Sequence, residues 1–138
     1  MDAQRLEQFE HPPEVAAIPG CPPRDSRPTN DVVYRVTKKN PPSERDLKTH
    51  HERGCAPRSN PCGDCGLSVM LDEADLDLFH QKLPGLGKFV YKAELGPDNG
   101  TMKVVGGVVE SHTNVWFFKH CTPAARAPLF KFHREFER

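Results

Sequence analysis

The chain has 138 residues, enough for one ordinary domain and too few for two. Nineteen Lys plus Arg balance nineteen Asp plus Glu, so net charge argues against a general nucleic-acid or polyanion binder. With 36% hydrophobic residues and 14 prolines, a small core carrying irregular segments is expected, and no apolar run approaches the roughly 20 residues that span a bilayer.

Met1 to Glu10 is charged and lacks the apolar stretch of a secretory signal. The expectation is a soluble, cytoplasmic protein without membrane association. Residues 1–30 hold Pro12, Pro13, Pro19, Pro22, Pro23 and Pro28. Proline fixes φ and removes a backbone donor, so this stretch reads as a Pro-rich extended arm, with one short helix at 2–9. Leu6, Phe9, Val15 and Ile18 are available to pin the arm onto a core.

Residues 31–138 read as a single α+β domain with a mainly antiparallel sheet and two or three short helices. Val32, Val33, Tyr34 and Val36 predict a first strand, closed by Asn40-Pro41-Pro42. Ser43 is a good N-cap with Asp46 at the third position, predicting a polar, slightly buried helix over 44–53 that ends at Gly54. Residues 55–66 read as a loop and 67–71 as a short buried strand. Asp72 caps a second helix over 73–82, whose Leu76, Phe79 and Leu83 form one apolar face.

Residues 88–95 alternate with period two, a half-buried strand. Pro97-Asp98-Asn99-Gly100 predicts a hairpin turn, with a return strand over 102–109 bent at Gly106-Gly107. A strand over 114–119 carries Trp116, Thr122-Pro123 opens a helical turn, and Phe130 and Phe132 alternate in a last strand.

The five cysteines are Cys21, Cys55, Cys62, Cys65 and Cys121, an odd number. Without a secretory signal, reduced thiols are expected, either inert or bound to metal. Cys62-Gly63-Asp64-Cys65-Gly66 places two thiolates one tight turn apart. Cys55 is a candidate third ligand and His51 or His50 a fourth, giving a structural zinc site that staples the loop to the preceding helix. His112 and His120 lie too far apart on a straight strand to share an ion, and His120 beside Cys121 points to the opposite sheet face. His120 is instead a candidate base or substrate contact.

Val33-Tyr34-Arg35-Val36, Asn40-Pro41-Pro42, Gly66-Leu67-Ser68-Val69 and the run from Pro84 to Val90 resemble a group of small bacterial proteins. That pattern in turn resembles the first half of compact ADP-ribosyltransferase-type toxin domains. The resemblance covers about residues 31–95 and implies an NAD-using transferase or glycohydrolase. It assigns Tyr34, Arg35 and Ser68 to NAD, and Arg35, Ser68 and Glu110 to catalysis. The guanidinium would pair with phosphate and the carboxylate would stabilise the cation left when nicotinamide departs. The sequence has Ser68-Val69-Met70 in place of the family's Ser-x-Ser, and Glu110 follows two valines rather than an acidic or amide pair. The alternative is a non-catalytic, zinc-stapled module that binds a protein partner. A third reading is a structural protein of a mobile element, with no small-molecule site.

Overall fold

The computed structural model describes residues 9–137. The helix expected at 2–9 lies outside them, save for its last position. Seven strands form one sheet: β1 (Arg27–Pro28), β2 (Asp31–Thr37), β3 (Leu67–Met70), β4 (Phe89–Leu95), β5 (Gly100–Val104), β6 (His112–Phe117) and β7 (Phe130–Glu135). Their order across the sheet is β1-β5-β6-β3-β2-β4-β7, and every neighbouring pair is antiparallel. Among the described residues, four short α-helices accompany it: α1 (Pro13–Ala16), α2 (Pro61–Asp64), α3 (Leu76–Lys82) and α4 (Pro123–Arg126). The architecture is the expected α+β domain. None of these helices is long and apolar enough to cross a membrane.

Alternation along the strands gives the sheet two unlike faces. One face is a continuous core of Val33, Leu67, Val69, Ala93, Val115 and Phe117, closed over by Leu47, Cys121 and Phe130. The other face carries two separate cores. Val36, Met70 and Val90 pack under Leu76 and Phe79 of α3, while Trp116 packs under Val15 and Cys65. Between them the face is polar, because Ser68, His112 and Asn114 occupy it half-buried. Gly66 lets Asn114 and Trp116 pass close by, since a Cβ there would lie 3.0 Å from Asn114 Cβ.

Several local expectations meet a different tertiary outcome. The helix expected over 44–53 is a single 3-10 turn, Glu44–Leu47, although Ser43 and Asp46 do form the capping box. Its end comes early because Lys48 is extended and Glu52 turns back to accept from the Thr49 N–H. Leu47, expected to be slightly buried, is fully enclosed. The Asn99-Gly100 turn does not make a hairpin of β4 and β5. β4 pairs with β2 and β7, and β5 with β1 and β6. Thr29 fills that turn, its hydroxyl donating 2.6 Å to the Gly96 carbonyl, and the chain crosses to β5, next to the edge strand β1. The return strand ends at Val104 rather than at 109. The proline-rich stretch packs onto the sheet: Val15 is 3% exposed, and β1 pairs with β5.

Candidate functional site

β2 and β3 touch at one register pair, Tyr34 opposite Met70. Beyond it the two strands part, and the Arg35 guanidinium fills the gap. Arg35 Nη1 donates 2.9 Å to the Ser68 carbonyl and Nε donates 3.1 Å to the Asp46 carbonyl. Both partners are neutral oxygens, and the salt bridges among the described residues include none to Arg35. Burial first, and the neighbouring Arg53 second, push the Arg35 pKa down to about 10, with Asp46 acting the other way. The group remains a cation at neutral pH, desolvated and facing another cation.

A cleft of about 400 Å³ opens where the strands part. Its lining contains seven basic side chains, Arg35, Lys38, Lys39, Arg45, Lys48, Arg53 and Arg58, against one carboxylate, Asp46. Arg58 is paired with Asp64 at 2.6 Å. Among the described residues, Lys38, Lys39, Arg45, Lys48 and Arg53 have no salt bridge. The Asp46 carboxylate is occupied by the Ser43 cap and by the Lys38 N–H. His50 also lines the cleft and donates from Nε2 to the Ala56 carbonyl at 2.7 Å. The local charge is strongly positive in a chain whose total is zero.

Ser68 is on the cleft wall. Its Oγ lies 2.5 Å from His112 Nε2, reached diagonally across the β3–β6 ladder, where Met70 is opposite His112. His112 Nδ1 lies 2.7 Å from the Gly106 carbonyl. A carbonyl only accepts, so Nδ1 carries a proton, and in the neutral imidazole the lone pair is then at Nε2, toward the Ser68 hydroxyl.

Of the positions the resemblance singles out, Arg35 and Ser68 come together. Tyr34 does not line the cleft; it packs beside the His133 ring at 5.2 Å. Glu110 is exposed in the turn before β6 and is not part of the cleft lining. The proposed zinc ligands are not gathered. Cys62 is bonded to Cys21, so its sulfur is not a thiolate available to an ion. Cys65 is buried beside Trp116, and burial, with nearby Glu14 and Asp64, pushes its thiol up. Cys55 is a half-buried free thiol, and His51 is exposed. No group of three or more His, Cys, Asp or Glu among the described residues is placed to hold a metal. The Cys21–Cys62 bond also departs from the expectation of reduced thiols. His120 is exposed, and Cys121 is buried in the main core.

No family model, curated protein or solved structure matches the chain. The basic cluster and His112 as the partner of Ser68 are the features that composition and spacing did not single out. Residues 35–58 hold seven Lys or Arg and three Asp or Glu, a local excess of four that the balanced total conceals.

Proposed function

We propose that the protein binds a phosphorylated small molecule of nucleotide size in the Arg35 cleft. The observation that carries this reading is a half-buried guanidinium, bonded only to carbonyls, at the base of a cleft ringed by six further cations, five of them without a carboxylate partner among the described residues. Uncompensated like charges at close range oppose the folded state, and a phosphate relieves them while accepting bidentate bonds from Arg35. A volume of about 400 Å³ lies within the range of small-molecule sites. NAD belongs to this ligand class, and Arg35 and Ser68 are positions the transferase resemblance assigns to it. Glu110 lies off the cleft, so the reading is one of phosphate binding and does not extend to ADP-ribosyl transfer.

The test is thermal denaturation with pyrophosphate, ADP or NAD, and with adenosine as the uncharged control. A ligand at about 100 times its Kd adds roughly 2.7 kcal/mol, which raises Tm by several degrees for a domain of this size. The phosphorylated ligands are expected to raise Tm, adenosine to leave it unchanged, and Arg35→Gln to remove the response. An equal response to adenosine, or none to any phosphate, would overturn the reading.

A further inference from the structure

We infer that Ser68 and His112 form a nucleophile and base pair acting on the phosphorylated ligand. The inference rests on the cleft reading above and adds a reaction to it. Four features of the structure support it.

First, the tautomer is fixed. The Gly106 carbonyl holds the proton on His112 Nδ1 and leaves Nε2 free to take the hydroxyl proton of Ser68. Second, the histidine is immobilised by its own loop. The His112 carbonyl accepts from the N–H groups of Val105, at 2.9 Å, and of Gly106, at 3.1 Å. Gly106 and Gly107 make that tight loop with φ of +70 and +117, a region that L side chains rarely adopt. The same loop thus supplies the orienting carbonyl and clamps the residue it orients. Third, Ser68 is half-buried on the cleft wall, and His112, which does not itself line the cleft, reaches it through the Ser68 hydroxyl. Fourth, the Arg35 guanidinium at the base of the cleft donates to the backbone carbonyl of Ser68 itself, so the cleft's buried cation and the serine are joined through one residue.

The chemistry these groups support is hydrolysis of a phosphate monoester through a phosphoserine. Ser68 Oγ attacks phosphorus as its proton passes to His112 Nε2. The Oγ–P bond forms, the bond from phosphorus to the ester oxygen breaks, and the imidazolium returns the proton to the departing alkoxide. Water then attacks the phosphoserine, giving a proton to His112. The Oγ–P bond breaks, phosphate leaves and Ser68 recovers its proton from the imidazolium. The sum is ester plus water giving alcohol plus phosphate, with no oxidant or further reactant.

The experiment uses the full chain with p-nitrophenyl phosphate, following nitrophenolate release and quenching in acid for intact-mass and peptide-mass measurement. The expected result is steady release with a phosphoryl group trapped on the Ser68 peptide. Ser68→Ala should abolish both signals, and His112→Gln should slow release by on the order of 10²–10⁴-fold. Both variants should keep the thermal response to pyrophosphate, which is also the check that they fold. Ser68→Ala removes only a hydroxyl and serves alone if His112→Gln does not fold. Pyrophosphate binding with no release and no phosphoserine would overturn the pair and leave the cleft reading standing. Release that survives Ser68→Ala would overturn it as well. Absence of pyrophosphate binding together with absence of release would overturn both.

Discussion

A buried and a half-buried guanidinium share this small domain, and their surroundings differ. Arg126, at the end of α4, is 3% exposed. Its Nε donates to the Cys121 carbonyl, Nη1 to the Leu47 carbonyl and to Glu52 Oε1, and Nη2 to Glu52 Oε2. Its plane lies over the Phe117 ring at 4.3 Å. Every polar edge has a partner and a carboxylate balances the charge. Arg35 has two carbonyls, no carboxylate and a second arginine as neighbour. A guanidinium that serves packing is closed on all sides. One that is half-satisfied and opens on a cationic cleft has donors to spare, which is what the proposed phosphate site requires.

The sharpest way to break this comparison is to remove Arg126. Arg126→Met should destabilise the fold by about 3–5 kcal/mol, because it strands a partly buried carboxylate and two carbonyls. Urea unfolding reads this directly, and adding Glu52→Leu should recover part of the loss. A change under about 1 kcal/mol would show that Arg126 is no more structural than Arg35. The same pair sets a pH dependence. Burial pushes the Glu52 carboxyl up, but bonds from Arg126 and Thr49 outweigh it and hold the carboxyl below its usual value. A depressed folded pKa means that this stability is present above the unfolded value and is lost as pH falls through the folded one. Urea midpoints should therefore decline on the acid side in the native chain. In Arg126→Met, where only the Thr49 bonds still oppose burial at Glu52, that decline should shrink.

The parts of this architecture that could be read in advance are the local ones. Ser43, Asp72 and Thr122 all cap as their side chains dictate, and alternation marks β2 and β4. What escaped depends on distant partners. Asn99-Gly100 makes its turn, but which strands pair across it was decided by β2 and β7 taking both edges of β4. Leu47 is nearly alone among polar neighbours, and its burial comes from the sheet beneath it and from α4. The CxxC spacing of Cys62 and Cys65 suggested a shared ion, whereas Cys62 is bonded to Cys21, 41 residues away. Arg35 and Ser68 were legible as polar strand residues with a possible shared role, and 33 residues of chain separate them. Ser68 and His112 are 44 residues apart and meet only because β3 and β6 are in a particular register.

Substitution of Arg35 sharpens the comparison from the other side. Arg35→Gln should change stability by no more than about 1 kcal/mol, since the two lost hydrogen bonds are offset by relief of burial and of repulsion from Arg53. Its effect on phosphate affinity should be far larger, roughly 10–100-fold, the usual range for losing a bond to a charged group. Arg35→Lys keeps the charge but loses the fork, and should fall between the two. A large loss of stability with unchanged pyrophosphate affinity would make Arg35 a second structural arginine and end the contrast with Arg126.

The smallest expected effect lies at the rim of the cleft. Lys38 and Lys39 are exposed, so water and salt screen their pull on a bound phosphate. Lys38→Gln should weaken pyrophosphate binding by roughly two- to fivefold at low ionic strength and by almost nothing at molar salt, where charges farther apart than about 3 Å are screened. The Arg35→Gln deficit should survive that salt far better, because Arg35 is half-buried and would meet its ligand directly. The two salt slopes separate steering by the rim from bonding at the base. If Lys38→Gln and Arg35→Gln lose affinity equally and salt erases both deficits alike, the cleft is a diffuse positive surface, and the geometry around Arg35 confers nothing particular on it.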